Sequence, residues 1–464
     1  MEEKKFDVVI LGCGPGGYPA AIRLAQKGKK VAIVEAKEVG GTCLNRGCIP
    51  TKALLANAEV LYNIHNAQKF GITLGSIEVD FLKMQSNKDA TVSKLKNSLQ
   101  GLIMANGITL INGWGSFIGP KKIKVTGKDA CTLSADSIII ATGSESREIP
   151  AFQSDGKLIH SSTTLLELKE VPKRLAIVGG GVIGCEFASL FCELGSKVTV
   201  IEMLDRILPL ECPSISKALT LSFEKRKIDV MTKVGVQGIE KAQNSVTVVL
   251  QDGKKVEADM ALVAVGRSLN SANIGLETIG VKVEKGAIVV DDNMKTNVNG
   301  IYAIGDVVGK SLYAHVATHQ GIIAAENILG HKASMNYDAV PGVIFTHPEI
   351  GTCGLTIDQA KAKGYKARLA SYPFQALGKA QAAQTTEGFA QIVVDETTGQ
   401  ILGAQVFGHE ASNLIAIMCT AITNELTVES ITETIHAHPT LSEAWLESAF
   451  IAEKMPLHFP PIKG

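Results

Sequence analysis

"FDVVILGCGPGG" (Phe6–Gly17) decides the fold: an apolar run of strand type breaks into Gly12-x-Gly14-x-x-Gly17. An amphipathic stretch, "YPAAIRLAQK" (Tyr18–Lys27), follows. After a turn at Gly28 comes a second apolar run, "KVAIVE" (Lys30–Glu35), which ends in an acid. This is a strand–helix–strand unit. The first glycine permits the tight turn, the second lets backbone approach a pyrophosphate, and the third packs helix against strand. The helix N-terminus then presents free N–H groups and the positive end of its dipole to the phosphates. The acid can accept hydrogen bonds from ribose hydroxyls.

One such loop alone is weak evidence, since a glycine-rich turn between strand and helix explains it as well. Here "LAIVGGGVIGCEFASLFCELGSKVTVIE" (Leu175–Glu202) repeats the whole arrangement, with glycines at Gly179, Gly181 and Gly184, a turn at Gly195 and an acid at Glu202. Each element lies 167 residues beyond its counterpart. Two dinucleotide sites are therefore expected. Both acids would repel a ribose 2′-phosphate, so the pair of cofactors should be FAD and NAD rather than NADP.

The remaining texture is α/β. "SIIIATGS" (Ser137–Ser144), "MALVAVGR" (Met260–Arg267) and "NGIYAIGD" (Asn299–Asp306) are short buried-strand runs. Beyond about Val340, alternating stretches such as "FAQIVVD" and "ILGAQVF" predict antiparallel strands flanked by helices. The expected division is a first dinucleotide domain over residues 1–147, a second over 148–270, a central segment over 271–339 that completes the first site, and an α+β domain over 340–464.

Composition excludes several classes. Lys+Arg and Asp+Glu are both 46, which gives no whole-chain attraction to nucleic acid or anionic membrane. No apolar run approaches the roughly 18 residues of a membrane span, and no secretory signal fits ahead of the strand at Phe6. Nine scattered cysteines do not form a disulfide framework. They point to a reducing compartment, a bacterial cytoplasm or a mitochondrial matrix.

Two of those cysteines lie close together, in "GGTCLNRGCIPTK" (Gly40–Lys52). The spacing between Cys43 and Cys48 is not that of common zinc knuckles, and no second pair of the C-x2-C kind exists, so no metal site is expected. In a continuous helix the two would sit about 140° apart around the axis with a rise of about 7.5 Å, too far to bridge. An irregular backbone is therefore needed, and Gly40, Gly41 and Gly47 supply it. Pro50 suits a first helical turn, which places Cys48 at a helix start where a thiolate is favoured, with Arg46 and Lys52 adding positive charge. Read alone, the pair serves as well as two unlinked small apolar residues as it does as a redox couple. Its place eight residues after Glu35 favours redox exchange with a flavin.

These segments together resemble the pyridine nucleotide–disulfide oxidoreductases, over essentially the whole chain. "GGTCLNRGCIPTK" resembles the family's redox-active disulfide box, "GGGVIGCEFA" its NAD loop and "NGIYAIGD" its flavin-contacting segment. "FTHPEIGTCGLT" (Phe345–Thr356) resembles the start of its dimerisation domain, and "HAHPTLSEAW" (His436–Trp445) its catalytic-base segment. Thr51 stands where many members have Ser, and Asn299 where Pro is common. The resemblance implies a homodimeric flavoenzyme that oxidises protein-bound dihydrolipoamide through a Cys43–Cys48 disulfide and FAD to NAD⁺. This is the E3 role in 2-oxo acid dehydrogenase complexes. The implied partners are the lipoyl domains of the acyltransferase, and the glycine cleavage carrier as a further candidate.

By the same resemblance, Cys43 faces substrate and Cys48 faces the flavin. His438 is the base, oriented by Glu443, ahead of His436; it serves the partner subunit's site, and the His438–Pro439 bond is cis. Lys52 pairs with Glu186 and sits near the reactive flavin nitrogen. Thr142, Gly143, Ser144, Asp306 and Ala314 contact the flavin nucleotide, and Gly266 the nicotinamide nucleotide. A glutathione-type reductase is disfavoured by Glu202. A mercuric reductase is disfavoured because no cysteine follows Cys419. A redox sensor without turnover would lack the base or a cysteine, and a scaffold would need neither loop.

Overall fold

The computed structural model describes residues 3–461. Its first sheet contains β1 (Glu3–Leu11), β2 (Val31–Glu35), β3 (Thr109–Asn112), β4 (Trp114–Gly119), β5 (Lys122–Thr126) and β6 (Cys131–Ile140) in the order β3-β2-β1-β6-β5-β4. The β3-β2-β1-β6 half is parallel, and β5 and β4 continue it antiparallel. Val8 to Leu11 are all buried, as a parallel strand covered on both faces requires. Ile301–Ala303 crosses back to pair with β6 in parallel, so a segment far along the chain completes this sheet. Helix α1 (Gly17–Gln26) covers one face together with the helix Ala314–Ile328.

A second parallel sheet runs Asp229–Met231, Lys197–Ile201, Arg174–Val178, Met260–Val263, Ile159–His160, with an antiparallel three-stranded sheet, Val236–Lys241, Val246–Leu250 and Lys255–Ala258, beside it. The third sheet is wholly antiparallel, in the order Gly342–Ile344, Glu349–Gly354, Ile401–Gly408, Phe389–Asp395, Ala367–Pro373.

The two central strands of that third sheet depart from the alternation expected of them: they are buried nearly throughout. Both faces are covered. Ala390, Ile392, Ala404 and Val406 face the helices Ala411–Thr423 and Glu443–Ala452, where Trp445 is fully buried and donates Nε1–H to the Leu414 carbonyl. Phe407 and Phe389 on the other face pack against the second unit. There Gln391 donates to Gln405 at 2.7 Å and meets Ser214.

The repeat seen in the sequence is also a repeat of atoms. A Cβ on Gly12 would lie 2.2 Å from the Ala141 carbonyl oxygen, and one on Gly179 2.4 Å from that of Ala264. A Cβ on Gly17 would lie 2.0 Å from the Gly12 oxygen, and one on Gly184 2.0 Å from the Gly179 oxygen. Both loops are therefore closed to any side chain at these positions. No helix among the described residues is long and apolar enough to cross a membrane.

Candidate active site

A cleft of about 1400 Å³ runs between the two loops and reaches the third sheet. Gly12, Gly14, Glu35, Cys43, Cys48, Lys52, Thr142, Gly143, Ser144, Glu186, Gly181, Gly266, Asp306 and Ala314 line it. Gly17, Gly179 and Gly184 shape the loops from behind this lining, and Glu202 ends the strand beside the second loop.

Among the helices that begin at this cleft are α1, Val182–Glu193 and Ala314–Ile328, and the N-cap residue of each makes no side-chain cap. The positive dipole ends of these helices are left for an anionic ligand. The acids repeat as the glycines do. Glu35 accepts from Cys13 N at 2.7 Å and Lys37 N at 2.7 Å, and Glu202 from Gly180 N at 2.8 Å and Leu204 N at 2.8 Å. Each carboxylate is fixed beside its loop at the end of its strand. Two uncapped loops, two fixed acids and a cleft larger than an ordinary small-molecule pocket fit two dinucleotides.

The surroundings of the two loops differ. Gly41 approaches Gly14 so closely that a Cβ on it would lie 2.8 Å from the Gly14 Cα. Thr318 on the helix Ala314–Ile328 donates its hydroxyl to the Pro15 carbonyl at 2.8 Å. At Gly181 in the second loop, a Cβ would meet no atom of the described residues within 4 Å.

The cysteines lie on a short helix, α2 (Gly41–Arg46), and at the start of a long one, α3 (Cys48–Asn66), with Gly47 at φ −144°, ψ −111° breaking the path between them. They are free thiols in hydrogen-bonding contact, and they are unequal. The hydrogen bond from Cys43 outweighs burial and, with Lys52 nearby, lowers Cys48 to about 7. The same hydrogen bond and burial push Cys43 up. Cys48 is thus the more acidic thiol of the pair, and Cys43 the proton holder.

Lys52, one turn along α3 from Cys48, donates Nζ to both oxygens of Glu186 at 2.8 Å. Glu186 also accepts the Phe345 N–H at 3.0 Å, and Lys52 lies 4.3 Å from the centre of the Phe345 ring. This joint ties all three sheets together around the cysteines. Sequence reasoning missed Phe345, because nothing local marks a contact across 159 positions. Arg267 and Asn270 were missed too. Arg267 donates to the Ser144 hydroxyl and carbonyl, each at 2.7 Å, while Ser144 Oγ donates to Asp306. Thr142 and Asn270 exchange hydrogen bonds at 2.7 and 3.0 Å. The arginine closing "MALVAVGR" was the available signal.

His438 and Glu443 lie outside this cleft. His438 Nδ1 meets Glu443 Oε1 at 2.8 Å, and Thr440 N donates to Oε2 at 2.9 Å. Burial acts to raise the Glu443 carboxyl, but the Thr440 N–H and the His438 ring outweigh it and hold the group below its usual range. The His438 side chain is 75% exposed and the His438–Pro439 bond is cis. Nδ1 is engaged, which leaves Nε2 directed away from Glu443 and accessible. His436 instead bonds the Thr434 carbonyl at 2.8 Å.

Comparison with known proteins gives a consistent answer. The pyridine nucleotide-disulphide oxidoreductase family matches residues 6–321, and the dimerisation domain of that family matches 340–449. The sequence is 50% identical to the dihydrolipoyl dehydrogenase of Chlamydia pneumoniae, over 99% of both chains. It is 40% identical to that of Bacillus subtilis, over 98% of this chain and 99% of the relative. The crystal structure of LpdA from Mycobacterium tuberculosis superposes with a TM-score of 0.91 at 28% identity, over 97% of this chain and 99% of the other.

Proposed function

The chain belongs to the pyridine nucleotide-disulphide oxidoreductase family, and from that premise we propose that it oxidises dihydrolipoyl groups to lipoyl groups at the expense of NAD⁺, with FAD between them. The observation that carries the reading is the unequal Cys43–Cys48 pair on the wall of a cleft that also holds both dinucleotide loops. FAD, when bound, supplies a two-electron acceptor that can hand a hydride to NAD⁺.

The chain's own residues carry the thiol chemistry. In the oxidised state Cys43 and Cys48 share a disulfide. His438 Nε2 takes a proton from one substrate thiol, and the Glu443 carboxylate stabilises the imidazolium that forms. The substrate thiolate attacks Cys43 Sγ, which breaks the Cys43–Cys48 bond and gives a mixed disulfide. Cys48 leaves as a thiolate, the form its surroundings already favour. The second substrate thiol then attacks its own mixed-disulfide sulfur, releases the cyclic lipoyl disulfide and returns Cys43 as a thiol. Lys52, held by Glu186, keeps a positive charge beside the Cys48 thiolate. His438 does not line the cleft that holds the cysteines of its own chain, so its substrate is taken to be the one bound to the other subunit. The dimerisation-domain match over 340–449 supports a homodimer.

The proposed division of labour assigns FAD to residues 1–147 and 271–339, NAD to 148–270 and dimerisation to 340–464. The strand Ile301–Ala303, paired with β6, supports the joint assignment of the first two segments. Thr142, Gly143, Ser144, Asp306 and Ala314 would hold FAD with the first loop, and Gly266 would hold NAD with the second. Glu202, a charge where a 2′-phosphate would sit, supports NAD over NADP. The lipoyl domains of a 2-oxo acid dehydrogenase acyltransferase are the proposed partners, and a reducing compartment such as the bacterial cytoplasm the proposed location.

The test is NADH formation from dihydrolipoamide and NAD⁺ by the purified flavoprotein, with NADPH plus glutathione disulfide as the control pair. Turnover with the control pair alone would overturn the assignment. Cys48→Ser should abolish turnover and leave the flavin bound; a Cys48→Ser protein with full turnover would remove the disulfide from the mechanism.

A further inference from the structure

The reaction above uses two cysteines. A second pair lies across the wall of the same cleft, in the third sheet and the helix that covers it. Gly351 on the strand Glu349–Gly354 faces the helix Ala411–Thr423 without a side chain. A Cβ there would lie 2.6 Å from the Ala411 carbonyl oxygen and 2.9 Å from the Ile415 Cβ. The glycine thus lets the helix ride unusually close to the strand.

From this contact the two elements run the same way. Two residues along the strand, on the same face, is Cys353. One turn along the helix is Cys419. Farther on, a Cβ on Gly354 would lie 3.0 Å from Ile422 Cδ1. Cys353 and Cys419 face each other between these two contacts, as free thiols in hydrogen-bonding reach. They are unequal in access: Cys353 is 2% exposed, while Cys419 is half-buried and lines the cleft.

We propose that Cys353 and Cys419 form a second redox-active dithiol, which a peroxide entering the cleft converts to a disulfide joining the covering helix to the third sheet. Cys419 is the attacking sulfur because it is the one the cleft reaches. Its thiolate forms an S–O bond to one peroxide oxygen as the O–O bond breaks; the departing hydroxide takes up a proton as water and leaves a sulfenic acid. Cys353 then attacks that sulfur. An S–S bond forms, the S–O bond breaks, and the hydroxide leaves with the Cys353 proton as a second water. The two thiols lose two electrons and two protons, and one peroxide becomes two waters. Burial of Cys353 keeps a resolving thiol in place and limits further oxidation of Cys419. The hydrogen bond from Cys353, which lowers the Cys419 thiol against its partial burial, acts in the same direction.

The experiment uses the intact flavoprotein, reduced and freed of reductant. It is treated with hydrogen peroxide at the dose that fully reoxidises Cys43–Cys48, blocked with N-ethylmaleimide and digested without reductant. The Cys43–Cys48 peptides serve as the internal control. Most of the Cys419 peptide should appear linked to the Cys353 peptide, and dithiothreitol should release it. In Cys353→Ser, dimedone should trap a sulfenic acid on Cys419; in Cys419→Ser, Cys353 should remain a thiol. Recovery of both cysteines as maleimide adducts in the unsubstituted protein would overturn the proposal, as would conversion of Cys419 to a sulfinic acid with no linked peptide.

Discussion

Replacing Lys52 by Met should make Cys48 a weaker acid, by an amount the geometry bounds. Cys48 and Lys52 are one helical turn apart on α3, which puts the ammonium on the order of 7 Å from the thiolate. At an effective dielectric of about 20 that attraction is worth ~2 kcal/mol, or about 1.5 pH units in the titration midpoint. Lys52 is 32% exposed, so solvent screening trims this toward about one pH unit. The substitution also strips the buried Glu186 of its partner, and an uncompensated carboxylate nearby raises Cys48 further. The midpoint should therefore move up from about 7 to roughly 8–8.5. The sign is fixed: the reactive form is the thiolate, present above the midpoint and lost as pH falls through it, so Lys52→Met should be slow at pH 7 and recover at pH 9. The assay is the rate of iodoacetamide alkylation of the reduced protein against pH, with Cys48 identified by peptide mapping. Glu186→Gln added to Lys52→Met should bring the midpoint part of the way back. An unchanged midpoint in Lys52→Met would refute the claim that Lys52 acts on the cysteine electrostatically. A fall would refute the placement of its charge.

Three further outcomes follow from the geometry. His438→Gln should slow the dihydrolipoamide half-reaction by about 10²–10⁴ while leaving NADH-driven reduction of an artificial acceptor intact, which stopped-flow absorbance can separate. Gly184→Ala forces a Cβ to within 2.0 Å of the Gly179 oxygen, so NAD⁺ affinity should fall by roughly tenfold or more with flavin content unchanged; Gly17→Ala, the matching change in the first loop, should instead yield protein poor in flavin. Glu202→Gln removes the charge and keeps an acceptor oxygen for only one of the Gly180 and Leu204 N–H groups, and should narrow the preference for NAD⁺ over NADP⁺ by about tenfold, measured as a ratio of kcat/KM values.

Both loops were legible because their signal is local: strand, glycines, helix and acid fall within thirty residues, and each glycine answers one steric demand. The cysteine segment was legible for the same reason, since Gly47 breaks the helix between Cys43 and Cys48 where the spacing required a break. What could not be read were contacts whose partners lie far apart in the chain. Phe345 joins Lys52 and Glu186 only after three sheets have assembled, and Arg267 reaches Ser144 across 123 positions. The continuous burial of Phe389–Asp395 and Ile401–Gly408 has the same origin. Alternation predicts one wet face, and here a neighbouring unit dries it.

The two loops share glycines, acids and even their carbonyl contacts, so the loops themselves hold nothing that decides how long a ligand stays. That difference lies in what covers them. The first loop has Gly41 against Gly14 and Thr318 on Pro15, whereas the second is held through the Gly180 carbonyl by the Leu208 N–H at 2.7 Å and is open at Gly181. A ligand seated on the first loop beside Gly41 should therefore dissociate more slowly than one on the second, without any stronger bond to it. One duplicated device would thus serve as a lasting seat at one end and an exchange site at the other, the asymmetry that passing electrons to a freely exchanging acceptor calls for.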